Sequence, residues 1–239
     1  MIKFSHPIQA LIMLDEQSPL RRISSSSREI TLHSELERYI YGCAQGLSVV
    51  MASLDKAAFS IELIHQANSA IPNSIYTHAE QIEFAIENYF IRNGAIYDRA
   101  LIFIGKLMDL GLANQAVGHE LIVTNAHVVR YQLADALKSL KKISREHSVE
   151  RNAIIHHRSY KNDSFNQVAL IMNTNSLMRE AGKEAPFPDE VVGELTQALL
   201  EDHTAEFEAH LSKVRESIVN LLDIASAVYR IKRQAYLTV

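Results

Sequence analysis

Cysteine, glycine, proline and tryptophan are scarce in this sequence of 239 residues. The single cysteine, Cys43, excludes an intrachain disulfide and any zinc site built from several thiolates. Eight glycines, five prolines and no tryptophan leave little material for the tight turns of an all-β protein or for a glycine-rich phosphate loop. The composition therefore favours helices, and the lone thiol fits a reducing cytoplasm.

Long hydrophobic runs are also missing. The longest apolar stretch without a charge covers residues 39–54, which is 16 positions, whereas a membrane-spanning helix needs about 20. Near the N-terminus, Pro7, Asp15 and Glu16 interrupt a mildly apolar start, so we expect no export signal. With 47% hydrophobic and 22% charged residues, the chain has the composition of an ordinary globular protein that makes no contact with a membrane.

Apolar residues recur at alternating steps of four and three, the pattern of helices that pack one face into a core. The clearest series cover residues 36–64, 79–107, 122–143 and 207–228. They predict an all-α protein, an antiparallel bundle of four or five main helices over residues 34–239. Residues 1–33 lack this period and are expected to form a short irregular or extended N-terminal arm with a linker. Residues 165–172 fit a strand or a helix, and 173–188 are expected to be a loop with room for one helical turn.

Charge is unevenly distributed along the chain. The formal net charge is −4, but residues 138–161 hold seven basic and two acidic residues, a local excess of +5 that leaves −9 elsewhere. Such a segment is either a solvated helix face or an electrostatic surface for a polyanion. Both interpretations stay open on charge alone.

The same segment contains Arg151-Asn152-Ala153-Ile154-Ile155-His156-His157, shortly after Ser148, which suits the N-cap of a new helix. An arginine, a polar residue, three apolar residues and a histidine at a helix start resemble the Arg-x(4–6)-His motif of the HEPN superfamily. Residues 86–92 and 97–99 look like the second-helix region of one bacterial subgroup of that superfamily. The resemblance implies a helical bundle and, for many members, a metal-independent endoribonuclease that works as a homodimer.

Arginine and histidine are the residue types that metal-free RNA cleavage needs. The ribose 2′-OH attacks the adjacent phosphorus, so a base takes its proton, an acid protonates the leaving 5′-oxygen, and positive charge stabilises the phosphorane. Histidine titrates near neutral pH, and a guanidinium grips two phosphate oxygens. The resemblance thus assigns proton transfer to His156 and the phosphate clamp to Arg151. His157 also satisfies the spacing and stays an alternative to His156.

Other residues are candidates for supporting parts. Asn152 would bond to the phosphate or satisfy the start of the helix. Glu87 or Asp98 would hold Arg151 in place, or instead form surface pairs with neighbouring arginines. The cations expected to contact RNA phosphates, and so to make binding depend on salt, are Lys141, Lys142, Arg145, Arg158 and Lys161.

Helical geometry sets one further condition on the motif. Residues five apart on a helix are separated by about 140°, so Arg151 and His156 do not share a face. Three arrangements satisfy this condition. The arginine reaches around the helix, the helix ends near His156, or a second subunit completes the site.

These observations predict an RNA-cleaving toxin or defence effector of the cytoplasm that uses no metal and no cofactor. Its expected partners are RNA, a second copy of the chain and, in a toxin system, a cognate antitoxin. Two alternatives stay open. One is a HEPN protein without catalysis that binds RNA or nucleotides or acts as a scaffold. The other is a helical dimer in which Arg151 and His156 only satisfy polar groups at the interface.

Overall fold

The computed structural model describes residues 3–22, 30–156 and 160–238. Within these ranges the regular structure is helical, which confirms the predicted all-α class. Two short 3₁₀ turns lie at Pro19–Arg22 and Asn114–Ala116. No helix of the described part is long and apolar enough to cross a membrane. The α-helices, in chain order, are α1 (Pro7–Met13), α2 (Glu35–Gln66), α3 (His78–Leu107), α4 (His119–Val123), α5 (Ala126–Arg130), α6 (Leu133–Ser144), α7 (Ser148–His156), α8 (Asp163–Glu180) and α9 (Asp189–Leu237).

The chain divides into two compact units. The first unit contains Lys56–Gly94 and His147–Ser212. The second unit contains Ile2–Asp55, Ala95–Glu146 and Lys213–Val239. The arginine–histidine motif therefore belongs to the first unit, and α6 with its lysines belongs to the second.

Three of the predicted apolar series are confirmed as single helices. The series 36–64 lies in α2, the series 79–107 in α3 and the series 207–228 in α9. Their apolar members are buried, as a helix with one face in a core requires. Asn93, the one polar member of the α3 series, is buried as well, with 1% of its surface exposed.

Aromatic rings form much of the core of the first unit. Tyr89 on α3 stacks on Phe207 of α9 with ring centroids 4.1 Å apart, and its hydroxyl lies 2.8 Å from Nδ1 of His210. Phe90 meets Phe207 edge-on at 5.1 Å. His147, the residue before α7, packs edge-on against Phe90 at 5.4 Å. Edge-on and offset ring pairs add to the energy of burial, so this cluster anchors the start of α7.

The N-terminal residues differ from the irregular or extended arm expected there, because Pro7–Met13 form a helix. His6 caps it: its ring accepts a hydrogen bond from Ile8 N, and its own backbone N–H donates to Oε1 of Gln9 at 2.9 Å. Ile8 and Ile12 are fully buried. Seven helical residues are too few for a visible apolar period, and their stability comes from this packing within the second unit.

The third apolar series is not one helix, as its period suggested, but the three helices α4, α5 and α6. Asn125 breaks it first, because its side chain accepts hydrogen bonds from His127 N and Val128 N and so starts a new helix. Gln132 breaks it again by adopting a left-handed conformation with φ of 61° before α6. The apolar series is largely buried in α4 and α6, but on α5 its member Val129 is exposed and Val128 is buried instead.

The segment from Phe165 to Met172, which the sequence left open between a strand and a helix, is helical. The loop expected at 173–188 is wrong for residues 173–180, because α8 continues to Glu180. Asn162 caps α8 by accepting from Phe165 N at 3.1 Å. Asn175, which on sequence favours a loop, is buried and bonds through its amide to both backbone groups of Phe187 at 2.7 and 3.1 Å. The helix ends in a left-handed glycine, Gly182, with φ of 68°.

Candidate functional site

Helix α7 presents the arginine–histidine motif on a helix with no buried residue. Asn152 and His156 are exposed, while Arg151 is half-buried. Glu150 lies in the first turn, where a carboxylate is favoured by the positive end of the helix dipole. The described part of this helix runs to His156. His157 and Arg158, the other candidates here, lie outside the described residues.

Arg151 lies against the backbone of α3 at Gly94. A methyl group built on Gly94 would stand 3.0 Å from Nε, 3.2 Å from Cδ and 3.4 Å from Cγ of Arg151. Contacts this short are tighter than ordinary van der Waals contact, so the arginine side chain rests directly on the backbone of the glycine. A glycine inside a helix costs about 0.5–1 kcal/mol relative to alanine, and this packing explains its presence.

The guanidinium of Arg151 keeps an unpaired charge within the described part of the chain. Its Nη1 donates a hydrogen bond to Oδ1 of Asn152 at 3.2 Å, and its Nε is buried without a hydrogen-bond partner there. No carboxylate of the described residues forms an ion pair with it. Oε2 of Glu150 is likewise buried without a hydrogen-bond partner. The charge of Arg151 is thus available to an anion.

Glu87 contacts the segment after the motif. Its Oε1 accepts a hydrogen bond from Tyr160 N at 2.7 Å. Tyr160 is buried, with its ring 5.5 Å from that of Phe90 and 5.8 Å from that of His203. Burial raises the pKa of Tyr160 to about 12, with Glu206 and Glu150 adding to the effect. Glu87 therefore ties the chain that leaves α7 to α3.

Sequence reasoning missed a histidine–glutamate cluster beside α7. Glu206 lies between two histidines, with Oε1 4.0 Å from Nδ1 of His147 and Oε2 3.8 Å from Nδ1 of His203. Arg151 N donates to the carbonyl of His147 at 3.1 Å, so the cluster adjoins the motif. Burial lowers the pKa of His203, which Glu206 opposes. Glu206 is 55 positions from Arg151, and no sequence spacing connects them.

The remaining candidates are distributed over both units. Lys161 is exposed in the first unit. Asp98, which is exposed, and Lys141, Lys142 and Arg145 on α6 and at its C-cap belong to the second. Burial lowers the pKa of His119 in that unit, and the charges of Lys141 and Arg145 contribute to the shift. The structure thus shows a contact between Arg151 and Asn152 in the first unit. The second unit has a basic surface of its own, formed by Lys141, Lys142 and Arg145.

Among the described residues, no group of three or more histidine, cysteine, aspartate or glutamate side chains is placed so that it could hold a metal ion. The two histidines of the histidine–glutamate cluster pack against the aromatic core, whereas Glu206 is exposed. The histidine rings face Phe207, with His203 stacked on it at 5.6 Å.

An all-α chain that presents an arginine–histidine motif on a helix has the features of a HEPN protein. The family model of the Cthe2314-like HEPN proteins matches residues 39–226, which include the whole described motif. Because the match covers most of the chain, the chain belongs to this HEPN family. No curated protein and no solved structure matches it.

Proposed function

We propose that this protein is a metal-independent endoribonuclease, with Arg151 as the phosphate clamp and His156 as the proton-transfer group. The observation that carries the proposal is the state of Arg151. Its side chain rests on Gly94, bonds to Asn152 and has no carboxylate partner among the described residues. A guanidinium that is held in place but not neutralised is suited to bind a phosphate. His156 is exposed on the same helix.

The proposed reaction needs no added reactant. The 2′-oxygen forms a bond to the adjacent phosphorus while its proton goes to a base, and the bond from phosphorus to the 5′-oxygen breaks as that oxygen receives a proton. The products are a 2′,3′-cyclic phosphate and a 5′-hydroxyl. Arg151 stabilises the charge that builds up on the phosphorane oxygens. His156 supplies one of the two proton transfers.

The second proton transfer supports a homodimer. The two motif residues stand about 140° apart around α7, so one copy of the motif does not direct both groups to the same side of the helix. Two copies facing each other would supply two histidines and two arginines to one cleft. RNA and a second copy of the chain are therefore the partners in this proposal, and Asn152 orients the guanidinium of Arg151.

The cellular role that we propose is that of a toxin or defence effector. In a toxin system the endoribonuclease acts on the RNA of its own cell, so a partner must restrain it. A cognate antitoxin is therefore part of the proposal. It would act by covering the exposed face of α7, where Asn152 and His156 lie.

The test is cleavage of one structured and one unstructured RNA in EDTA by the wild type, Arg151→Ala and His156→Ala. Two variants control for the removal of a surface cation or histidine, Arg130→Ala and His127→Ala, both at exposed positions of α5. We expect the motif variants to lose about 10²-fold or more of the rate, as the removal of an acid–base group does, and the control variants to keep it. Cyclic phosphate ends on the products would identify 2′-OH attack.

A different result favours the non-catalytic alternative. If the folded wild type cleaves neither RNA, binding of the same RNAs separates an RNA-binding HEPN protein from a scaffold. Equal cleavage by the wild type and both motif variants would show that the activity lies elsewhere.

A further inference from the structure

The second unit contains a cleft that has no part in the proposed RNA chemistry. Its volume is about 610 Å³, within the range of roughly 300–1,000 Å³ typical of small-molecule sites. One wall is the face of α2 that includes Ala44, Ser48 and Val49, and the facing wall is α3. The other lining residues are Met13, Leu20, Ile30, Tyr41, Gln45, Gly46 and Asn114.

Two cations from α3 line this cleft. Arg99 and Lys106 are two helical turns apart, about 10 Å along the helix axis, with Ile102 between them. Within the described ranges neither side chain has a hydrogen bond or an ion pair, and none of the lining residues is acidic. The aliphatic stem of Lys106 passes α2 at Gly42, where an added methyl would meet its Cδ at 3.8 Å. The cleft therefore carries positive charge that the described residues around it do not neutralise.

The rest of the lining is mainly apolar. Met13, Leu20, Ile30, Val49 and Ile102 come from five different parts of the chain and meet around the space between the cations. A polyphosphate carries dense charge and would gain nothing from the apolar side chains that make up most of this lining. An aliphatic chain buries its surface against these side chains, and a carboxylate at its end pairs with Arg99 or Lys106.

We propose that this cleft binds an amphipathic carboxylate, a carboxylate head on an aliphatic body. Ile102 and Val49 contact the body, and Arg99 or Lys106 holds the head. Gln45, Ser48 and Asn114 line the same cleft and offer hydrogen bonds to the second carboxylate oxygen. The ligand site lies wholly in the second unit, whereas Arg151 and His156 lie in the first. The proposal thus does not depend on RNA cleavage.

The experiment is a calorimetric titration of the full-length protein with decanoate, supported by displacement of the fluorescent anion anilinonaphthalenesulfonate. Three variants change the cleft, Arg99→Gln, Lys106→Gln and Ser48→Glu, the last of which brings a carboxylate to an exposed position of its wall. Arg230→Gln removes an exposed cation of α9 in the same unit and is the matched control. Decanol, a neutral molecule of the same length, tests the need for the charge.

We expect saturable binding of one decanoate per chain. Removing the cation that pairs with the head should weaken it about tenfold, as the loss of a charge-assisted bond does, and removing the other cation should weaken it less. Ser48→Glu should abolish binding, while Arg230→Gln should leave it unchanged. Circular dichroism of each variant establishes that it is folded. Four results would overturn the proposal: no saturable binding by the wild type, equal binding by both cation variants and the wild type, equal binding of decanol, or displacement of the dye by inorganic pyrophosphate but not by decanoate.

Discussion

The side chain of Arg151 on α7 lies against the backbone of α3 at Gly94, where a methyl group would come within 3.0 Å of Nε. This contact joins Arg151, the residue that we propose to bind the phosphate, to a glycine that lies 57 positions earlier in the chain. It makes the position of the guanidinium depend on the absence of a single carbon atom.

Gly94→Ala is expected to separate stability from activity. Alanine is favoured over glycine inside a helix by about 0.5–1 kcal/mol, and Arg151 can move its flexible end away from the new methyl group. We therefore expect the free energy of unfolding to stay equal or rise, while RNA cleavage falls about tenfold because the guanidinium is displaced. Urea unfolding and cleavage rates of the same preparation measure both.

Gly193→Ala is the matched control. Gly193 is also inside a helix, α9, and an added methyl there meets no atom within 4 Å. This change should stabilise the protein by a similar amount and leave the cleavage rate alone. If Gly94→Ala behaved in the same way as Gly193→Ala, the packing of Arg151 would have no part in the activity.

Asp15 is expected to stabilise the second unit through Tyr229 and Arg233. Its carboxylate accepts from the Tyr229 hydroxyl at 2.9 Å and from Nε and Nη2 of Arg233 at 2.5 and 3.1 Å. Asp15→Asn should lower the free energy of unfolding by about 2 kcal/mol, the value of hydrogen bonds to a charged group. Glu216→Gln, at an exposed position of α9, should change it little. Equal stability of both variants would contradict the prediction.

The contribution of Asp15 should also depend on pH. Burial alone would raise its pKa, but the hydrogen bonds from Arg233, Gln17 and Tyr229 outweigh burial and lower the pKa below 3.8. Because the folded pKa is the lower one, the stabilisation is present above pH 3.8 and is lost as the pH falls below it. The difference between the wild type and Asp15→Asn should shrink over that range in urea titrations.

Glu37 provides a second pH-dependent contact. Arg22 binds both of its oxygens, at 2.6 and 2.7 Å, and His33 N donates to it at 2.8 Å. The hydrogen bond from Arg22, followed by that from His33, lowers the pKa of Glu37 from 4.5 to about 2. Glu37→Gln should lower the urea midpoint at pH 7, and this difference should disappear as the pH falls from about 4.5 towards 2.

Glu16→Gln, at an exposed position of the same unit, serves as the control for Glu37. It should follow the wild type at every pH. A difference between the wild type and Glu37→Gln that stayed constant down to pH 3 would show that the carboxylate charge is not what stabilises this contact.

The basic surface of α6 should appear in the salt dependence of RNA binding. In a His156→Ala background that prevents cleavage, we expect each of Lys141→Gln, Lys142→Gln and Arg145→Gln to reduce the slope of log K against log salt by about 0.7, the value for one phosphate contact on a single strand. Lys138, which is paired with Asp135 at 3.2 Å, is the control. An unchanged slope in the triple variant would remove these residues from the RNA interface.

The apolar period of the sequence was sufficient to predict the long helices. In α2, α3 and α9 every fourth or third residue is apolar over many turns, and only a helix brings such residues to one face. The same period was misleading at residues 122–143, because Asn125 and Gln132 interrupt the helix through their own side-chain and backbone conformations. On α5 the buried residue is Val128, whereas Val129, which the period placed in the core, is exposed. The second half of helix α8 was missed because a polar residue such as Asn175 is more typical of a loop. In the structure its amide is buried and is satisfied by hydrogen bonds to the backbone of Phe187.

The sequence by itself determined the helical class, the family and the position of the arginine–histidine motif, since these depend on residue types at short, regular spacing. Only the tertiary structure placed Arg151 on Gly94, Glu206 between His147 and His203, and the two cations of α3 in an apolar cleft. Each of these contacts joins residues from different helices. Spacing along one helix carries no information about which helix will lie opposite, and the packing of the side chains decides it.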